Sequence, residues 1–436
     1  MTTWSDLQRE AVSITADLIR IDSTNTGDSA TIGDGETRVC HRIAELLAEV
    51  GIESELVESE PGRGSLFARV PGAESDVGGL VVHGHVDVVP AVASDWTVHP
   101  FSGEIHDGYL YGRGAVDMKN MIGMMLAVVR HYARNSIRPR RPLLLAFFAD
   151  EEAAGIKGAK WLVRNRPDLF EGMTHALSEV GGFSVTCAGR RVYPVATAEK
   201  GVAWAKLTAR GTAGHASRPT ADNAVATLAE AVATVAGRHY PVTPTESVSA
   251  LATAVGDLTG ENIGIAELPE RLEVLGHFAD LVRPSLTDTA SPTMLNAGYK
   301  TNVIPGTAHA EIDCRVLPGS EDRFRAEIEE LVGDDIEIDW IWEPPIEAAA
   351  DDPLVDVIRA AVTESDPDAM VVPYLLPAST DNKHLARLGI AGYGFVPLQV
   401  PEDFDVFGNF HAVDERVPVD ALRFGVDVLE RILKTA

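Results

Sequence analysis

The chain is poor in cysteine, short of basic residues and without a long apolar run, and each shortage removes a class of protein. Only three cysteines occur, Cys40, Cys187 and Cys314, isolated from one another and odd in number. That is neither a disulfide framework nor a thiolate metal cluster, so any metal must be held by histidines and carboxylates. Lysine and arginine total 37 against 65 acidic residues, a formal charge of −28. Most of such a surface repels phosphate backbones and anionic lipid, which argues against nucleic acid and membranes as partners. The longest apolar runs, such as Leu143 to Phe148, fall far short of the roughly 18 residues that cross a bilayer. The opening MTTWSDLQRE lacks the basic-then-apolar pattern of a secretory signal, so the expected location is the cytoplasm. No internal repeat or low-complexity segment is visible.

What remains is an ordinary globular composition, with 45% hydrophobic and 23% charged residues. A length of 436 residues suggests two or three packed units at about 100 to 200 residues each. Apolar residues recur at helical spacing from Ser5 to Ile21 and from Val39 to Val50, which predicts two amphipathic helices. Between Leu80 and Gly182 short runs rich in Val, Leu and Phe alternate with helical stretches, the pattern of an α/β sheet. From residue 198 the order becomes β-α-β-β-α-β, with strands expected in VAWAKLTARG, MLNAGYKTNVIP, AHAEIDCRV and Ile336–Trp342. That is the split, ferredoxin-like arrangement with both helices on one face. Helix and strand alternation resumes after Asp352. The expected organisation is therefore a first part at 1–197, an inserted α+β domain at 198–346, and a return to the first sheet at 347–436. The stretch from His239 to Ser291 is too long for an ordinary connection and is expected to elaborate the insert.

Polar residues gather where the apolar strands end, the edge at which open α/β sheets place their sites. In VVHGHVDVVP, His85 and Asp87 lie two apart on one side of an extended strand, so the carboxylate can brace the imidazole. An isolated pair of this kind is more often a polar strand end. Asp117 follows Gly112 and Gly114 in a turn that lets backbone approach a charge. Asp150, Glu151 and Glu152 stand together after six apolar residues, where unneutralised carboxylates repel. Such a cluster can also be a solvated helix start. Glu179 precedes two glycines, and His411 follows GNF. Two imidazoles and several carboxylates without thiolate suit a hydrolytic zinc, cobalt or manganese site. Charge counting favours two ions. Two divalent cations are balanced by Asp117, Glu152, Glu179 and one bridging hydroxide, which leaves Glu151 free as a base.

The motifs HGHVDVVP, GRGAVDMKN, ADEEAAG, SEVGG, GHASRP, NVIPG with DCRVLPG, and HAVDER resemble, in order and over nearly the whole chain, those of a family of dinuclear zinc peptidases and amidohydrolases. Aminoacylases, glutamate carboxypeptidase, acetylornithine deacetylase and succinyl-diaminopimelate desuccinylase belong to it. The resemblance implies a mixed-sheet catalytic domain with an inserted lid and dimerisation domain. It implies that His85, Asp117 and Glu179 bind one zinc, that Asp117, Glu152 and His411 bind the other, and that Asp87 braces His85. Glu151 becomes the general base acting on a bridging water, and the Asp117–Met118 peptide is expected to be cis. In the insert, His215 is implied as an oxyanion or substrate contact that a homodimer delivers to the partner's site. Asn302 is implied as a polar contact and Arg315 as the holder of a substrate carboxylate; an Arg in a strand of an acidic domain is also often just an ion-pair partner. The expected substrate is a small N-acyl amino acid or dipeptide. Cleavage of a carbamoyl or ureido group, or a non-catalytic binding protein of the same fold, are the alternatives. Asn120 stands where a glycine commonly follows DMK, and PASTDNKH replaces a glycine-rich segment in a loop that faces the substrate in the family. The other histidines, His83, His99, His131 and His384 among them, are read as structural.

Overall fold

The computed structural model describes residues 4–28, 30–74 and 76–436. Both N-terminal helices form, over Asp6–Ile19 and Gly35–Ala48, the first closed by a capping box between Ser5 and Gln8. A ten-stranded sheet forms the larger part. Its centre is the parallel set Leu143–Phe148, Gly79–His85, Met173–Ser178 and Ala391–Gly394. The run Leu143–Phe148 is buried on both sides, and the period of two explains how. Leu143, Leu145 and Phe147 enter the core beneath the helices Lys119–Asn135 and Val419–Thr435, while Leu144, Ala146 and Phe148 enter a second core beneath Ala159–Asn165. A sheet covered on both faces reads as a continuous apolar run, and its ends are left to carry chemistry.

The insert is a four-stranded antiparallel sheet in the order Thr289–Ala297, Thr307–Val316, Gly201–Arg210, Ile336–Glu343. The helices Ala224–Ala236 and Glu321–Val332 share one core with its inward residues, Ala205, Leu207, Ala310 and Ile312 among them. The ferredoxin-like order holds. Glu343, at the end of the last strand, pairs with Lys160 and Arg387 of the larger part.

Two expectations are corrected. The strand expected through MLNAGYKTNVIP is two strands, because Gly298 turns the chain at φ +71 and only Val303–Ile304 resumes pairing, with Gly214–His215. Of the stretch from His239 to Ser291, Tyr240 and the strand from Thr289 join the insert, but the helical middle does not. Its helix Glu246–Thr259 and the short helices that follow bury Val248, Leu251, Val255, Phe278 and Val282 against Val192, Val372 and Tyr374 of the large sheet. Apolar spacing reveals that a helix has a face to bury, but not which sheet receives it. Among the described residues no helix is long and apolar enough to cross a membrane.

Candidate metal centre

His85 ends its strand with Nδ1 3.0 Å from the carbonyl of Asp87 and 3.4 Å from its carboxylate, which orients Nε2 outward. That Nε2 lies 2.9 Å from Asp117 Oδ1 and 3.6 Å from Glu179 Oε2. On the opposite side, His411 Nε2 lies 3.1 Å from Asp117 Oδ2 and 3.2 Å from Glu152 Oε2. Asp117 therefore faces each imidazole with a different oxygen. The result is two groups with metal-ligand geometry, His85–Asp117–Glu179 and Asp117–Glu152–His411, each with its ligand atoms within 4.8 Å of one another. The Asp117–Met118 peptide is cis.

The turns that present these groups are unusual. Asp150, Val180 and His411 all have left-handed backbone, at φ 67, 62 and 59. Outside glycine this conformation is uncommon, and for a β-branched residue such as Val180 it is rare, so all three turns must be held from outside. Asp150 is held best. Its amide donates to Glu36 Oε1 at 3.0 Å, and Glu36 is in turn paired with Arg63 at 2.6 Å. Its carboxylate accepts from Asn25 Nδ2 at 3.1 Å and from the Lys157 amide at 2.7 Å. Asp87 does more than brace His85: its carboxylate accepts from the amides of Glu151 and Glu152 at 3.2 and 3.1 Å, and from Asn25 at 2.8 Å. Glu415 gathers the amides of Gly114, Val116 and Asp117 and pairs with Arg113 at 2.6 Å. Arg113 also donates to the carbonyl of His411, tying the two ligand turns together. Sequence reasoning passed over Glu415, Arg113, Asn25, Glu36 and Arg63. The acidic pair in HAVDER pointed towards Glu415; the other four carry no local signal.

The electrostatics ask for cations. Burial, with the nearby Asp117 charge, pushes Glu152 up to about 7 even though His411 bonds to it. Hydrogen bonds to Asp117 and Glu152 push His411 up to about 10. Burial opposes a charge on His85, but Glu179, Asp117 and Asp87 outweigh it and raise it. Burial raises Asp117, yet bonds from both histidines carry it below the usual carboxylate range. Burial first, then the charge of Glu179, raises Glu151 well above it. Glu152 Oε1 is buried with no hydrogen-bond partner. A buried orphan acceptor beside two imidazoles and three carboxylates, with no thiolate, fits a pair of divalent ions. The three cysteines are free and buried elsewhere.

His215 and Asn302 sit together on the insert, both exposed: Gly214–His215 pairs with Val303–Ile304, and the Ala216 amide donates to the Asn302 carbonyl at 3.1 Å. His215 Nδ1 accepts from the Ser217 hydroxyl at 2.8 Å and its amide at 3.2 Å, so its bonds stay within its own loop. Arg315 grips Asp313 of its own strand with two bonds, at 2.6 and 3.0 Å. A carboxylate substrate would have to share or displace that pair. His83 bonds Asn382 Oδ1 at 2.8 Å, and burial holds it down at about 4, in keeping with a structural histidine.

A family model described as peptidase family M20/M25/M40 matches residues 81–435. The probable carboxypeptidase S-like 2 of Dictyostelium discoideum is 30% identical over 398 residues, covering 85% of this chain and 74% of the relative. The N-fatty-acyl-amino acid synthase/hydrolase PM20D1 of Mus musculus is 28% identical over 421 residues, 88% of this chain and 79% of the relative. Among solved structures, the M20 family metallo-carboxypeptidase Sso-CP2 from Sulfolobus solfataricus matches 98% of both chains with a TM-score of 0.72 at 18% identity, which establishes the shared fold.

Proposed function

Because this chain belongs to peptidase family M20/M25/M40, we propose that it is a dinuclear metal-dependent hydrolase cleaving a linear amide or peptide bond of a small substrate, an N-acyl amino acid or a dipeptide. The observation that carries the reading is the position of Asp117, one oxygen 2.9 Å from His85 and the other 3.1 Å from His411. His85, Asp117 and Glu179 hold one ion, and Asp117, Glu152 and His411 the other; zinc suits this donor set, with cobalt or manganese as alternatives. Such ions, when bound, polarise the scissile carbonyl and make water acidic enough to attack at neutral pH.

The side chains have separate duties. Glu151, in neither ligand group, takes the proton of the attacking water and returns it to the leaving amine. Asp87 holds the amides of Glu151 and Glu152 and so fixes the base relative to its neighbour. His215 donates to the oxygen that becomes negative, and Asn302 and Arg315 hold the polar end of the substrate, Arg315 after exchanging Asp313 for a substrate carboxylate. The insert, the four-stranded sheet and its two helices within 198–346, acts as a lid and joins two copies. Its outer face supports this, since Trp204, Met294 and Ile341 are large, apolar and exposed there. Three buried, unpaired thiols support a reducing compartment, the cytoplasm.

A panel of N-acyl amino acids and dipeptides, offered to protein reconstituted with zinc, cobalt or manganese, tests the proposal. Release of free amino acid is expected. Ammonia and carbon dioxide instead would move the reading to carbamoyl hydrolysis, and no turnover by chains carrying two ions would leave a binding protein.

A further inference from the structure

Glu199 is a buried acid to which the chemistry above gives no duty. It ends the strand Arg190–Glu199 of the large sheet at 3% exposure, and the first strand of the insert, Gly201–Arg210, begins just beyond it. A buried carboxylate is costly unless a cation pairs with it. Lys383, whose charge acts on Glu199, bonds the Ser379 hydroxyl at 2.9 Å instead. Both oxygens of Glu199 serve one residue. Oε2 accepts from the amide of Thr380 at 2.8 Å, and Oε1 from its hydroxyl at 2.5 Å. That hydroxyl in turn accepts from the Asn382 amide at 3.1 Å, so one acid fixes the start of the segment 380–384.

The segment lies against the turn that carries the base. Asp381 Oδ1 and His384 Nε2 converge on Gly155, where a Cβ would sit 2.9 and 3.0 Å from them. Gly155, at φ +64, closes the turn that begins at Asp150 and carries Glu151 and Glu152, its amide donating to the Asp150 carbonyl at 2.7 Å. After burial, Glu179 and His85, Asp381 is the next charge felt by Glu151. Asp381 and His384 are both buried, and Asp381 Oδ2 has no hydrogen-bond partner. Their contact with Gly155 is therefore packing, and its position depends on what holds the backbone of 380–384. Farther along, Arg387 pairs with Glu343, where the chain leaves the insert. The two crossings between sheet and insert thus grip the same stretch of chain.

We propose that Glu199 is a positioning residue for Glu151: through Thr380 it holds Asp381 and His384 against Gly155, and so fixes the turn from which the base acts. The inference rests on the hydrolase reading above and adds a residue to it.

Glu199→Gln turns one acceptor into a donor, and Thr380→Val removes the hydroxyl, each at nearly constant size. In metal-reconstituted protein either should lower kcat by about 10- to 100-fold, the worth of a hydrogen bond to a charged group, with KM and metal content unchanged. Thr380→Ser, which keeps the hydroxyl, should return most of the activity that Thr380→Val loses. Added to Glu151→Gln, which has no base left to position, Glu199→Gln should cost almost nothing further. An unchanged kcat, a change in KM alone, a loss of metal, or an equal loss with and without Glu151 overturns the proposal. The second measurement needs no turnover. Backbone hydrogen exchange across 150–157 should be faster in Thr380→Val than in the unaltered protein, while exchange in the insert helices Ala224–Ala236 and Glu321–Val332 stays as it was. If no substrate is cleaved yet exchange at 150–157 rises, the hydrolase reading fails while the hold on the turn stands. If substrates are cleaved but exchange there is unchanged, the positioning role fails alone.

Discussion

Glu151→Gln should lower kcat by about 10² to 10⁴-fold, the range a positioned general base contributes, while leaving the metal content of the protein unchanged. Glutamine keeps the size and polarity of the side chain but cannot accept the proton of the attacking water. Glu151 belongs to neither ligand group, so its loss removes no donor. Burial and then the Glu179 charge raise its carboxyl above the usual carboxylate range. Glu152→Ala makes the contrasting case. It removes one of three donors from the group with Asp117 and His411, and metal should be lost along with activity. Metal analysis and kinetics on the two variants separate the roles. A depleted Glu151→Gln beside a fully loaded Glu152→Ala would exchange them.

His215→Ala should also be inactive, for a different reason, and the difference can be made visible. His215 is exposed on the insert, its side chain bonds within its own loop, and it is proposed to serve the other copy of a two-fold dimer. In a mixed dimer, the chain carrying His215→Ala keeps its own Glu151 and receives an intact His215 from a partner carrying Glu151→Gln. One of the two sites is then whole. Mixing the two inactive variants under conditions of subunit exchange should restore up to about half the activity per mixed dimer. Heterodimers that form without recovery would place His215 within its own site or outside catalysis.

The residues that face Asp117 were legible because each stands at the end of an apolar strand or beside glycine. His85 and Glu179 close buried strands, and Glu151 and Glu152 follow LLLAFFAD, where the period of two leaves no room for a charge until the strand stops. The supports of these residues were not legible. Glu36 reaches Asp150 across 114 positions and Asn25 across 125, and nothing local distinguishes either from an ordinary surface residue. The helices between His239 and Ser291 were misplaced for a related reason. Their apolar spacing fits either sheet, and the choice was made by Val372 and Tyr374, 90 to 126 positions onward, whose face needed cover. Arg315 had two readings in sequence, and the structure holds it on Asp313.

The central claim is a pair of metal ions that share Asp117, and counting metal tests it most directly. Elemental analysis of reconstituted protein should give two ions per chain, one fewer in His411→Ala, and none in Asp117→Ala, since Asp117 alone belongs to both groups. Two ions retained by Asp117→Ala, or a single ion in the unaltered chain, would contradict the account.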